Sequence, residues 1–488
     1  MMFPKTSISL NLFDNLNTID RYIDDCPDIV KKTIMLKEMK KGCFIFIKDF
    51  VNNDLLQRDF IKPLMAMDYS ILCSKEIIDY LPSSNLSLGD DINTVVKAIM
   101  DGKTVFLVEG ASFAVICNMI EIKDRAISEP IGEKNVRSPH DGFIESLDTN
   151  ITLLRRNIKN HNLKIKTIVL GTITNQSISI VYIKGIANPE LINTLYNKIT
   201  SIDTDGVLSS GSVQQFITDS KYSIFPQYLS TQRVDKTLAA LLEGRIVILL
   251  DGTPHALIAP VSFFSFLQSP DDYSSNWISS TLIRLVRILG LIITLILPGL
   301  YIAITSFHYY LVPLNLLVQL GQSRSKVAFP PIVEAILMEL TIQMLKEAAI
   351  RLPTYIGSTI GVVGGIIIGQ AAVEAGIVSN LFIIIIGITT IASFIIPSYE
   401  FGLGTLVLRI GILFMSSLFG IIGLIVCLVV LLMHLLSLES LGQPYFMPIL
   451  PFKLSDLKDS FIRLPVQFMK RRPHMPNPID KKRGNKDE

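Results

Sequence analysis

The sequence predicts an α/β soluble N-terminal region, built as two tandem duplicated α/β subdomains, followed by an α-helical multi-pass membrane domain. Three observations predict it. The 488 residues are 49% hydrophobic and only 18% charged, with a mean hydropathy of +0.45, too apolar for an ordinary soluble enzyme. The charge is unevenly spread: residues 279–440 carry 13 Asp, Glu, Lys or Arg in 162 positions. The stretch before them repeats itself.

The repeat is legible in two places. Residues 102–116, GKTVFLVEGASFAVI, match residues 244–258, GRIVILLDGTPHALI. In each, two short apolar runs flank an acid-Gly pair (Glu109-Gly110, Asp251-Gly252), the signature of a β-hairpin whose turn needs a positive φ. Residues 43–56, CFIFIKDFVNNDLL, match residues 179–192, SIVYIKGIANPELI. Here a strand ends in Lys48 or Lys184, and a polar Asn-containing turn opens a helix. Two matches in the same order predict two copies of one α/β subdomain, at 26–125 and 161–268. An N-terminal segment, 1–25, precedes them. Between them, 126–160 predicts a linker to about Gly142 and a connecting helix over Ile144–Ile158.

Composition and motifs narrow the function classes. A net charge of +2 gives no reason to expect a nucleic-acid partner. The five cysteines, Cys26, Cys43, Cys73, Cys117 and Cys427, are scattered, which predicts neither a metal site nor a disulfide framework. No Gly-rich phosphate loop, HExxH or GxSxG occurs, so neither a cofactor nor an enzyme activity is expected. His140, His161 and His255 stand alone and predict surface or core roles. The soluble half is expected to sense or assemble. No long apolar leader opens the chain, so the N-terminus is expected in the cytoplasm. The tail, 441–488, carries 10 basic and 5 acidic residues, including Lys470-Arg471-Arg472 and Lys481-Lys482-Arg483. Basic residues near a last span stay on the cytoplasmic side. Both ends inside require an even number of spans.

The membrane domain is expected over 279–440. Residues 288–323 lack any charged side chain, and a straight helix of that length would run about 54 Å against a core of about 30 Å. Pro298 and Pro313 interrupt it, predicting a first span at 285–307 with Arg284 and Arg287 at its cytoplasmic entrance. Charge-free runs at 352–373, 375–399 and 410–438 give three more spans, or four if the last region divides near Phe401–Arg409. The intervening segment 330–352 carries Glu334, Glu339, Lys346, Glu347 and Arg351. It fits a helix lying at the membrane interface or one bordering an ion path. Along 355–376, Ser358, Gly361, Gly365, Gly369 and Ala372 fall on one helical face and predict close helix packing, within or between subunits. Val362, Ile366 and Gln370 lie beside that stripe, where a narrow pore would be lined.

Beyond these patterns, the chain resembles the A subunits of bacterial spore germinant receptors, the GerA family. The resemblance rests on Ser269-Pro-Asp-Asp-Tyr273 with Trp277, on Phe329-Pro-Pro-Ile-Val-Glu334, on Leu352-Pro353, and on Thr359–Ala375. It continues in Pro444-Tyr-Phe-Met-Pro448 and Ile462-Arg-Leu-Pro465, and in the soluble half in Leu147–Lys159 and Lys221–Pro226. It implies a multi-pass protein of the spore inner membrane, in contact with lipid. Copies would form a homo-oligomer, a pentamer, with a transporter-like B subunit that binds the nutrient and a lipoprotein C subunit. It also implies a nutrient-gated cation channel whose ion release begins germination. On that basis Thr359–Gln370 are expected at the pore, Val362 and Ile366 at an apolar constriction, and Glu334 and Glu339 as a source of negative potential. A substrate transporter subunit, a non-conducting scaffold and an amplifying relative that senses no nutrient itself remain as alternatives.

Overall fold

A computed structural model of the chain describes residues 6–82, 85–120, 130, 132–133, 135, 137–351, 365 and 369–484. Two compact units account for it. The N-terminal unit comprises Met1–Asp219, Tyr228–Pro260 and Met469–Glu488; the helical unit comprises Ser220–Gln227 and Val261–Phe468.

In the N-terminal unit, alternation of side chains across a strand decides the layering. Helix α1 (Leu12–Tyr22) is followed by strands β1 (Ile29–Met35), β2 (Lys41–Ile47) and β3 (Leu86–Gly89), helix α2 (Ile92–Met100), then β4 (Thr104–Val108) and β5 (Ala114–Cys117). On β2, Phe44 and Phe46 point to one face and pack with Phe60, Phe106 and Val115. Cys43 and Ile45 point to the other and pack with Ile19, Val95, Ile99 and Leu107. The sheet is therefore covered on both sides, and each phenylalanine so buried contributes about 1.5–3 kcal/mol.

The second repeat has helix α3 (Leu147–Asn157), strands β6 (Leu163–Leu170) and β7 (Gln176–Ile183), helices α4 (Pro189–Thr200) and α5 (Ser210–Ile217), and strand β8 (Leu229–Thr231). Helix α6 (Val234–Glu243) and strands β9 (Ile246–Leu250) and β10 (Ala256–Ala259) complete it. The strand orders are β1-β2-β4-β5-β3 and β6-β7-β9-β10-β8, the same in both repeats. Every described pairing in these two sheets is antiparallel, so the α/β expectation holds for composition and layering but not in the parallel-sheet sense. Turn chemistry agrees between the copies. Gly110 and Gly252 lie at φ 90° and 82°, where the acid-Gly pairs required a positive value. Asn52 accepts from the amides of Asp54 and Leu55, and Asn188 from that of Glu190, capping the helices that follow Lys48 and Lys184.

The structural repeats start one helix earlier than 26–125 and 161–268. The buried Asn15 on α1 accepts from the amide of Ser9 (2.8 Å) and donates to its carbonyl (2.6 Å). The buried Asn150 on α3 does the same with Ile144 (2.9 and 2.6 Å). Each helix is thus a core element of its own repeat, so 1–25 is not a separate segment and the helix in 126–160 is not a mere connector. Hydropathy misses this because the anchoring residue on each is polar.

Ion pairs join the repeats. Lys48 reaches Asp148 (2.7 Å), and its counterpart Lys184 reaches Asp24 (2.7 Å), each crossing to the other copy. Arg155, buried, grips Asp28 through two hydrogen bonds of 2.9 and 3.0 Å. Lys164, also buried, contacts the Asp24 carboxylate and the Tyr22 carbonyl. Burial alone would raise the Asp24 carboxyl, but hydrogen bonds and positive charge from Lys164 and Lys184 outweigh it and hold it below its ordinary value.

The tail expected as one basic segment, 441–488, divides instead. Through Phe468 it belongs to the helical unit, and from Met469 it packs in the N-terminal unit. Arg472 donates to the Leu242 carbonyl (2.9 Å), the Ile479 amide to the Ile186 carbonyl (2.9 Å), and Arg483 pairs with Glu243 (3.2 Å). Part of its positive charge is spent on docking.

In the helical unit the long elements are α7 (Trp277–Ser306), α8 (Leu314–Arg324), α9 (Pro331–Arg351), α10 (Asn380–Phe394) and α11 (Tyr399–Ser437). Helices α7 and α11 are long and apolar enough to cross a membrane; α10, at 15 residues, is a shorter apolar helix of about 22 Å. Helix α11 is broken. At Gly420 the backbone turns to φ 62°, ψ −138°. A Cβ added to Gly299 of α7 would meet Ile412, Ser416 and Leu424 together, and Phe225 packs on both Phe401 and His434 (ring centroids 5.6 and 6.2 Å). Residues so far apart in one straight helix could not share a neighbour, so α11 is a helical hairpin turned at Gly420. The run 410–438 is therefore not one tilted span.

Contacts also fix the directions. The end of α7 at His308 lies against Gly420, and Gly290 lies against Ala392 of α10, whose other end at Ser379 meets Tyr301. Helix α10 therefore runs antiparallel to α7. Helix α9 runs parallel to α10, with Glu334 at Ser379 and Lys346 at Ser393. It lies alongside α7, α10 and α11. The expected spans 285–307 and 375–399 correspond to α7 and α10. The run 352–373 falls mainly outside the described residues.

Two outcomes are expected. The Asp24 contribution to stability is present above the unfolded carboxyl value of about 3.9 and is lost as pH falls through the lower folded value. Unfolding midpoints measured from pH 6 down to pH 2.5 should therefore fall more steeply for the unaltered chain than for Asp24→Asn. Gly420→Ala should cost about 1–3 kcal/mol, because its backbone position suits only glycine and the new Cβ meets His308. Gly411→Ala, which meets nothing within 4 Å, should leave the thermal midpoint in detergent nearly unchanged.

Candidate functional site

Burying a carboxylate in an apolar helix bundle is costly unless opposite charge and hydrogen-bond donors accompany it. Among the described residues the helical unit meets this requirement at three places, two of which hold the sequence candidates Glu334 and Glu339.

The first surrounds Glu334, which is wholly buried on the first turn of α9. One carboxylate oxygen accepts from the Ser379 amide (2.7 Å) and hydroxyl (2.8 Å), the other from Arg324 at the end of α8 (3.2 Å). The Ser379 hydroxyl lies 3.0 Å from that of Tyr301 on α7. One side chain thus ties α7, α8, α9 and α10, and Ser379 also caps α10.

The second lies five residues along α9. Glu339 pairs with Arg409 of α11, both almost fully buried. Lys346, two turns on, has no carboxylate within ion-pair distance among the described residues. It donates to Ser393 (2.8 Å) and lies over the Phe394 ring, 4.4 Å from its centre. A cavity of about 350 Å³ opens beside Lys346 and Arg409.

The third stands at the start of α7. Asp272 accepts from Arg284 (3.0 Å) and Arg287 (2.7 Å), and Arg284 also pairs with Asp459 (3.1 Å). Residues read from sequence as a charged flank, Arg284 and Arg287, are buried in this cluster. It draws the Ser269–Tyr273 motif, α7 and the 454–460 helix together.

Of the candidate pore residues, Glu334 and Glu339 are brought to one helix but face different partners. Each is neutralised by an arginine, so neither presents an uncompensated negative charge, which departs from the role in attracting cations expected for them. Gln370 is exposed and Ala372 packs against the cluster of Tyr301, Phe382 and Ile386. A Cβ at Gly365 or Gly369 would meet nothing within 4 Å, so among the described residues no helix of the same chain approaches those two glycines closely. Val362, Ile366, Ser358 and Gly361 lie outside the described residues. Sequence reasoning missed Arg324, Ser379, Arg409 and Asp272 as partners. Arg409 carried a signal, as a lone cation within an apolar stretch.

The N-terminal unit has a separate polar cavity of about 330 Å³ where its repeats meet, lined among others by Asp28, Lys48, Ser146, Asp148 and Asp251.

Comparison with known proteins finds relatives along the chain. Residues 17–475 match the family described as Bacillus/Clostridium GerA spore germination protein. Spore germination protein B1 of Bacillus subtilis (strain 168) is 37% identical over 476 residues, covering 97% of this chain and 99% of that protein. The uncharacterized membrane protein YfkQ of the same organism is 37% identical over 468 residues, covering 96% and 91%. The crystal structure of the N-terminal domain of the A subunit of the Bacillus megaterium spore germinant receptor GerK3 aligns with a TM-score of 0.42 at 28% identity, covering 54% of this chain and 99% of that one.

Removing one partner of a buried pair strands the other. Glu339→Gln and Arg409→Gln should each destabilise the helical unit by about 3–5 kcal/mol, and the double variant by clearly less than their sum. Thermal unfolding of the four proteins in detergent checks this; simple additivity would mean that the pair does not form.

Proposed function

Because the chain belongs to the GerA family of spore germination proteins, we propose that it is the A subunit of a germinant receptor in the inner membrane of the dormant spore. In this reading copies of the chain assemble as a homo-oligomer, a pentamer, around a nutrient-gated cation path. A transporter-like B subunit holds the nutrient and a lipoprotein C subunit completes the complex. The chain itself is not an enzyme. The observation that carries the reading is similarity to spore germination proteins along almost the whole length of both chains.

The architecture supports a multi-pass arrangement. Pro260 and Met469, at the two ends of the main stretch of the helical unit, both belong to the N-terminal unit. A chain that leaves and re-enters one compact unit crosses a membrane an even number of times. Helices α7, α9, α10 and the two arms of α11 supply passages among the described residues. Both termini then share a side, the cytoplasmic one by the basic-residue rule.

Gating requires that the nutrient-bound partner favour one arrangement of these helices by a few kcal/mol. Thr359–Gln370 line the path in this reading, with Val362 and Ile366 as the apolar constriction and Gln370 at its polar end. Ser358, Gly361, Gly365 and Gly369 face a neighbouring subunit. The paired Glu334 and Glu339 brace the bundle around the path.

Reconstituted receptors give the test. Val362→Ala should raise nutrient-independent cation flux several-fold, whereas Gly365→Leu should reduce assembly of the oligomer. Unchanged flux and germination in Val362→Ala and Ile366→Ala would remove the constriction. Flux that saturates with one transported solute, without channel-sized currents, would favour a transporter subunit, and normal assembly without any flux would favour a scaffold.

A further inference from the structure

We propose that the cavity beside Lys346 and Arg409 binds an oxyanion carried on an apolar body, a chemistry shared by the headgroup region of an acidic phospholipid and by a small aliphatic acid. The inference is independent of the channel reading, since it rests only on charge and space inside the helical unit.

Charge comes first. The groups facing this region are Glu339 and Lys346 from α9 and Arg409 from α11, while α10 offers the Ser393 hydroxyl and the Phe394 ring. Glu339 answers one cation, so the group carries a surplus positive charge. Arg409 is only 4% exposed, and its Nε hydrogen has no acceptor. A buried donor left without a partner is a standing cost, and a hydroxyl and a ring do not neutralise the Lys346 ammonium.

Space comes second. At about 350 Å³ the cavity falls within the range of small-molecule sites. Ser398 and Thr405 add hydroxyls to its wall, and Ile350, Ile396, Leu403 and Leu406 supply an apolar remainder. A cation would meet repulsion here. A carboxylate or phosphate would accept from Lys346 and Arg409, while its hydrocarbon part covers the apolar wall. Because the wall comes from α9, α10 and the first arm of α11, an occupant would hold these three elements together.

The full-length protein, purified in detergent, provides the test. Native mass measurement after equilibration with mixed phosphatidylglycerol and phosphatidylcholine reads the lipid source. Thermal unfolding in rising hexanoate, against equal chloride, reads the small-acid source. Lys346→Met removes the surplus charge and leaves the Glu339–Arg409 pair intact. It should weaken the favoured anion at least tenfold, whereas Lys346→Arg should retain it and Lys326→Met, a charge removed from the exposed surface, should not change it. Selective retention of phosphatidylglycerol alone assigns the site to lipid, and saturable stabilisation by hexanoate alone assigns it to a soluble acid. If the unaltered protein shows neither preference, or if Lys346→Met binds as it does, the proposal is overturned. Should Lys346→Met not fold, the measurements on the unaltered protein and on Lys346→Arg decide it.

Discussion

The requirement that every buried carboxylate be answered by a cation and by directed donors organises this protein. In the helical unit it determines which helices can be neighbours. Glu334 needs Arg324 and Ser379, which brings α8 and α10 to the start of α9. Glu339 needs Arg409, which brings the first arm of α11 to its middle. Asp272 needs Arg284 and Arg287, which pins the start of α7 to the preceding motif. Apolar packing is non-directional and would allow these helices to rotate or slide. The ion pairs do not, because a slip of one turn would strand a charge.

The same constraint operates between the two repeats of the N-terminal unit, in wetter surroundings. Lys48 and Lys184 occupy matching positions and each reaches an aspartate of the other copy. Exposed pairs of this kind contribute little energy. The buried Arg155 and Lys164 supply the firmer hold, through a bidentate contact to Asp28 and a cluster of acceptors around Asp24. Register between the copies follows from which residues are buried.

Much of this was legible in the sequence, and what was not has physical causes. The duplicated hairpins were visible because Gly110 and Gly252 follow acids at matching points, and the turn admits few alternatives. The starting helices of the repeats were not, because Asn15 and Asn150 break the apolar signal that marks a core element. Charge-free runs found the apolar bundle and miscounted its parts. A hydropathy window sees neither the left-handed turn at Gly420 nor that α9, carrying five charged side chains, can pack against the other helices once Glu334 and Glu339 are paired. Glu334 and Glu339 stood out as charges in the wrong place. Their partners did not, since Ser379 and Arg409 lie 45 and 70 residues away along the chain.

The return of residues 469–484 to the N-terminal unit has a consequence for biosynthesis. The residues that contact Leu242, Ile186 and Glu243 leave the ribosome only after the whole helical stretch that separates them from the second repeat. At about 5–20 residues per second, the intervening helical stretch takes roughly 10–40 s to make. Throughout that interval the second repeat lacks its clasp. On the proposed multi-pass reading, the clasp closes only when the helices have been threaded so that both ends emerge in the same compartment. On that reading a chain inserted with an odd number of passages would leave its tail on the opposite face, and the clasp would distinguish a correctly threaded protein from a misthreaded one.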